Sequence, residues 1–146
     1  MVSSLPKEGH SALRTWCQVS QVELCYLFGS RARGQARADS DYDLAVRFAT
    51  RPSDDERDRL LAELAEALAR RLRVPEDRVD VHDLDEMPLA LQFRVLRDGV
   101  RLWESPEGTH NEFYVRVLGK YLDYRYYEDL HLGEMRRRVR EGRFGA

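Results

Sequence analysis

The sequence predicts an α/β domain whose sheet is covered by helices mainly on one face. Three observations lead there. Segments of helical and of strand periodicity alternate from about residue 5 to residue 104, the signature of a sheet layered with helices around one core. Residues 53–73 carry an unbroken apolar stripe at helical spacing. Residues 42–48 alternate strictly between apolar and polar, so that strand has one core face and one polar face.

Length and charge narrow the classes. At 146 residues the chain fits a single domain, 1–146, large enough to bury a core without disulfides. Lys and Arg total 24 against 26 Asp and Glu, a formal net charge of −2. No global basic field draws the protein to a membrane, and direct nucleic-acid binding is not expected. Lys7 and Lys120 are the only lysines, so an arginine at a given place is weak evidence for function. Cys17 and Cys25 stand in no metal or redox spacing, as expected of free thiols in a reducing cytoplasm. No apolar run reaches membrane-spanning length. His10, His82, His110 and His131 are scattered and outline no zinc site.

In chain order, Leu13, Trp16 and Cys17 mark an amphipathic helix within residues 5–19. Val22 to Phe28 is rich in strand formers and stops at Gly29-Ser30. Residues 31–40 read as a loop. Along 42–48, Tyr42, Leu44, Val46 and Phe48 point one way, while Asp41, Asp43, Ala45 and Arg47 point the other. Ser53 and Glu56 fit a capping box, and Leu60, Leu61, Leu64, Ala65, Leu68 and Leu72 form the stripe that follows. Residues 78–84 predict a third strand with Asp80, His82 and Leu84 on one face; Asp83 and Asp85 are read as surface residues. Pro88 opens a helix ending near Gly99, and Val100 to Trp103 form the last strand. Thr109 and Glu112 suggest a second capping box, starting a C-terminal helical extension of about 109–140 whose basic end, Arg136 to Arg143, is expected to fray. Tyr121, Tyr124, Tyr126 and Tyr127 cannot all face one side of that helix, so some are expected to be exposed, read either as core packing with polar tips or as an interface with a partner or a second copy.

The chemistry concentrates between Gly29 and Asp80. Asp41 and Asp43, two apart on a strand, leave the same face roughly 6–7 Å apart at the backbone, a spacing on which carboxylates converge on a hard cation such as Mg²⁺. Asp80 falls on the same polar face, and a three-carboxylate patch can hold two metals about 3.5–4 Å apart. Gly29 after a strand lets backbone approach a phosphate, and Ser30 adds a hydroxyl and N–H donors. Arg31, Arg33 and Arg37 are candidates to clamp a phosphate chain. Each piece alone has an ordinary reading as turn, solvated carboxylate or background arginine. The joint spacing of Gly-Ser, ten residues and Asp-x-Asp is expected by chance in roughly a few per thousand chains of this size.

Gly29-Ser30, Asp41-Tyr42-Asp43 and Asp80 within Val79-Asp80-Val81 closely resemble the minimal nucleotidyltransferases of the DNA polymerase β-like superfamily. The motif region spans about residues 22–85, and the element order extends it to about 104. The resemblance implies the polymerase β-like fold, with a small mixed sheet and a long C-terminal helix. It implies transfer of AMP from ATP with two Mg²⁺ ions: Asp41, Asp43 and Asp80 would be metal ligands and catalytic residues, with Asp80 also a candidate general base. Gly29, Ser30, Arg31 and Arg33 would hold the nucleoside triphosphate. It also implies an antitoxin that adenylylates a tyrosine of a HEPN-domain toxin. The alternatives are a small-molecule nucleotidyltransferase of the aminoglycoside type, and a non-catalytic antitoxin that acts by binding.

Overall fold

Two apolar layers, one on each side of a four-stranded sheet, organise the chain. The computed structural model describes residues 5–142. The elements run α1 (Lys7–Val19), β1 (Val22–Phe28), β2 (Tyr42–Phe48), α2 (Asp54–Leu72), β3 (Val79–Asp83), α3 (Leu89–Asp98), β4 (Val100–Glu104) and α4 (Thr109–Arg140). The sheet order is β3-β2-β1-β4. β1 is antiparallel to both β2 and β4, and β2 is parallel to β3, so the sheet is mixed as expected.

The alternation of β2 sets the first layer. Tyr42, Leu44, Val46 and Phe48 are buried against Leu13 and Cys17 of α1 and Leu64 and Leu68 of α2. The second layer departs from the expectation of helices mainly on one face. Leu24 and Tyr26, alternating with Cys25 and Leu27 along β1, need their own cover, and Ala45 is small enough to let helices approach beside them. Val95 and Leu96 of α3 and Phe113 and Val117 of α4 fill that space. The central strand is buried on both faces, which is why its sequence reads as a continuous apolar run rather than an alternation. Beyond Ala45, toward Asp43, this second face is left to polar side chains.

Helix ends follow local chemistry. Ser53 Oγ accepts from the Glu56 N–H at 3.3 Å, as the capping-box spacing predicts, and α2 stops at Arg73 in the left-handed region, two residues before Pro75. The second expected box does not form. Thr109 lies inside α4 and its hydroxyl donates to the Pro106 carbonyl at 2.7 Å. Glu104 at the end of β4 takes the capping role, its Oε2 accepting from the N–H groups of Gly108 (3.1 Å) and His110 (2.9 Å). A carboxylate there also complements the positive end of the helix dipole. Tyr26 and His110 Nδ1 share a hydrogen bond of 2.6 Å that ties β1 to the first turn of α4. Burial raises the tyrosine above its ordinary value and lowers the histidine below its own.

Asp83 is also corrected. It is buried, because its Oδ1 is turned inward to accept from the Asp85 N–H at 3.0 Å and so starts the short 3-10 turn Leu84–Glu86. Asp85 pairs with Arg47 at 3.0 Å, and Arg47 also pairs with Glu23.

Beyond Tyr121, α4 leaves the body: every residue from 122 to 140 is exposed, including Leu122, Tyr124, Tyr126, Tyr127 and Leu130. The basic end expected to fray is helical through Arg140, and Arg143 lies outside the described residues. No helix among the described residues is long and apolar enough to cross a membrane.

Candidate active site at the end of the first strand

The strand register assembles the site. Phe28, the last residue of β1, is opposite Asp43, and Asp43 is in turn the register partner of Asp80 on β3. Asp41 sits one residue before β2 and is exposed, whereas Asp43 and Asp80 are partly buried. Gly29 continues directly from β1 at φ +75°, and a Cβ there would collide with the Asp43 carboxylate. The turn and the Asp43 carboxylate are therefore in contact, and a larger residue at 29 would adopt a strained backbone and displace that carboxylate.

The loop that follows winds tightly. The Arg33 N–H donates to the Gly29 carbonyl at 3.3 Å and the Gln35 N–H to the Ser30 carbonyl at 3.0 Å. Arg31 turns back to its own loop: its Nε and Nη2 donate to the Ser40 carbonyl at 3.1 and 2.8 Å, and its guanidinium lies 3.8 Å from the Tyr42 ring centroid. That places Arg31 as a brace between the loop and β2. Arg33 is exposed, with one side-chain bond to Gln35 (3.4 Å). Arg37 is exposed, and its backbone N–H donates to Ser40 Oγ at 2.7 Å. Arg78 holds the far side of the loop through the Asp39 carbonyl at 2.7 Å.

The carboxylates act on one another electrostatically. Burial, then the negative charges of Asp80 and Asp41, raise Asp43 above the ordinary carboxylate range, against the opposing pull of His82 and Arg33. His82 is exposed on the same face with its ring 5.9 Å from Phe28. Among the described residues no three acidic, histidine or cysteine side chains close into a metal cage by themselves. A hard oxygen donor set of this kind still fits Mg²⁺, which typically takes one or two carboxylates and completes its shell with water and substrate phosphates.

A neighbouring feature was not legible in the sequence. A cavity of about 230 Å³ opens beside Gly29 and Arg33, floored by Phe28, Ala32, Leu91 and Val95, with Arg94 and Asp98 of α3 at its rim. No motif marks Arg94 or Asp98. Only the packing of α3 against β1 brings them to the turn.

A glycine turn facing a carboxylate cluster on a small mixed sheet is the geometry that the comparisons with known proteins bear on. The family model described as Polymerase beta, Nucleotidyltransferase matches residues 13–108, more than half of the chain, and the protein belongs to that family. It is a nucleotidyltransferase. The protein adenylyltransferase MntA of Aphanizomenon flos-aquae (strain 2012/KM1/D3) is 29% identical over 115 residues, 73% of each chain. A crystal structure of a toxin–antitoxin with AMP-PNP contains a chain that superposes with a TM-score of 0.68 at 24% identity, over 86% of this chain and 96% of that one. A tri-AMPylated Shewanella oneidensis HEPN toxin in complex with MNT antitoxin gives 0.62 at 23% identity, over 86% and 94%. At these identities the structural likenesses establish the fold.

Proposed function

We propose that this protein is an antitoxin that transfers AMP from ATP to a tyrosine hydroxyl of a HEPN-type toxin, in the cytoplasm. The observation that carries the reading is the register that sets Asp43 between Gly29 and Asp80. The family membership and the activity named for the MntA relative support it. The chain acts as one domain, 1–146, with its catalytic core in about 5–104 and its helical extension in about 109–140.

In this reading Asp41, Asp43 and Asp80 hold two Mg²⁺ ions, which when bound supply charge neutralisation at the phosphates and activation of the attacking oxygen. Gly29 and Ser30 orient the triphosphate through backbone N–H groups and the serine hydroxyl, and Arg33 neutralises its charge. Arg31 serves by keeping the loop closed on Tyr42. The tyrosine oxygen forms a bond to the α-phosphorus, and the bond from that phosphorus to the α,β-bridging oxygen breaks. The electron pair leaves with pyrophosphate, and the phenolic proton passes to the Asp80 carboxylate. The exposed apolar and tyrosine side chains of α4 beyond Tyr121 supply a surface for the partner.

The direct test incubates the protein with α-labelled ATP, Mg²⁺ and the product of the neighbouring gene as candidate HEPN toxin. Label on a toxin tyrosine is expected with the parent and absent with Asp41→Asn, Asp43→Asn or EDTA. Neutralisation of the toxin that survives Asp41→Ala with Asp43→Ala would favour the binding-only alternative, and transfer to an aminoglycoside in place of the toxin would favour the small-molecule enzyme.

A further inference from the structure

We propose that Arg94 of α3 is a further nucleotide-binding residue, which with Arg33 holds the terminal phosphates of the triphosphate and the pyrophosphate that leaves. The inference deepens the proposed function and rests on its reading of Gly29 and Arg33 as triphosphate contacts.

The cavity beside the turn is the structural basis. It shares Gly29 and Arg33 with the candidate site and is lined by Arg94 as well, so an anion lying in it has the turn and two guanidinium-bearing residues around it. At about 230 Å³ it is below the range of about 300–1,000 Å³ usual for whole small-molecule sites, which suits part of a nucleotide. Its floor of Phe28, Ala32, Leu91 and Val95 keeps water from one side of the anion, which strengthens the attraction of the guanidinium groups at the rim.

The charge balance points to an anion. Among the described residues Asp98 is the one carboxylate lining the cavity, and it is already engaged by Arg97 through two parallel bonds, Nε to Oδ1 at 2.8 Å and Nη2 to Oδ2 at 2.7 Å. Arg97 first, with Arg33 and Arg94 adding to the same direction against the effect of burial, holds the Asp98 carboxyl below its ordinary value. Arg94 itself makes no hydrogen bond or ion pair within 4 Å among the described residues. Arg33 lines the cavity and also acts on Asp43, so its charge is felt by both the carboxylate cluster and the cavity. A triphosphate whose α-phosphate lies at the aspartates then extends past Arg33, with its terminal end toward Arg94. The same cations stabilise the charge that the leaving pyrophosphate acquires as the phosphorus–oxygen bond breaks.

The experiment measures binding to the full chain in Mg²⁺, without acceptor, of α,β-methylene-ATP, pyrophosphate and AMP. Arg94→Gln is expected to weaken the ATP analogue and pyrophosphate by roughly ten-fold or more, the scale of one charge-assisted hydrogen bond, while leaving AMP unchanged. Arg94→Lys should recover part of the loss, and Arg70→Gln, on the exposed face of α2, should change nothing. Equal affinity of parent and Arg94→Gln for pyrophosphate and the ATP analogue overturns the assignment of Arg94 alone. An equal loss for AMP overturns it too, by placing the nucleoside in the cavity. Failure of the parent to bind any of the three ligands overturns the underlying site reading, and is distinguishable from both.

Discussion

At the scale of single residues, the site depends on two positions where a small chemical change has a large geometric or electrostatic effect. Gly29 is the first. An alanine there takes on the left-handed backbone at a cost of about 1–2 kcal/mol, and its methyl group pushes the Asp43 carboxylate aside. Gly29→Ala is expected to fold, with circular dichroism like the parent's, and to lose about 100-fold or more of nucleotidyl transfer because Asp43 is displaced. Full activity in a folded Gly29→Ala protein would show that the turn and the carboxylate do not work together. Asp83 is the second. Burial, with Asp85 and Glu86 adding to it, raises its carboxyl above the ordinary value despite the bond from the Asp85 N–H and the charge of Arg57. Between the ordinary value and the raised one the folded state binds more proton than the unfolded state, so stability falls as pH rises through that window. Asp83→Asn keeps an oxygen for the Asp85 N–H and removes the charge. Urea denaturation should find it at least as stable as the parent at pH 7, with the difference shrinking toward pH 4. A variant less stable at both pH values would count against this account.

At the scale of elements, the sequence was most readable where one side chain's environment is set by its neighbours in the chain. The bounds of β1 and β2, the leucine face of α2 and the Ser53 cap all follow from periodicity and local spacing. It was least readable where a distant group competes. Thr109 and Glu112 have the spacing of a capping box, yet Glu104 reaches the start of α4 from β4 and the box is not used. Asp83 looked like a surface residue because nothing in the sequence shows that a strand ends there in a 3-10 turn with an inward acceptor. The role of Glu104 is open to measurement. Hydrogen bonds from the His110 and Gly108 N–H groups lower its pKa, with Arg101 assisting, so its contribution is present above the ordinary carboxylate range and is lost as pH falls through the lowered value. Glu104→Ala should cost about 1 kcal/mol at pH 7, on the scale of a lost helix cap, and should weaken protection of the first-turn amides of α4 in hydrogen exchange. Unchanged exchange at residues 108–112 would remove Glu104 from that role.

At the scale of the molecule, the closeness of Asp43 and Asp80 was legible from the apolar alternation of their two strands, which the parallel register of β2 and β3 then aligns. The second apolar layer was not, because it is built from residues far apart in sequence, Leu24 and Tyr26 with Val95, Phe113 and Val117, that no local pattern links. The same architecture divides the chain into a body and a projection. Phe113 and Val117 are buried and Tyr121 stacks on Phe93 with ring centroids 4.3 Å apart, but no residue from 122 to 140 is buried. A single helix standing in water without tertiary contacts gains little from its own hydrogen bonds, so this projection adds little to the stability of the body. Its exposed Leu122, Tyr126 and Leu130, and beyond them Leu132, Met135 and Val139, have no role in the core. A chain ending after Asp123 is therefore expected to keep the parent's melting temperature within a few degrees and its affinity for α,β-methylene-ATP. In the proposed reading it should lose affinity for the toxin, measured by calorimetry with the same partner preparation. A truncated chain that unfolds would assign the projection to the core, and one that binds the toxin as well as the parent would move the partner surface to the body around Asp80.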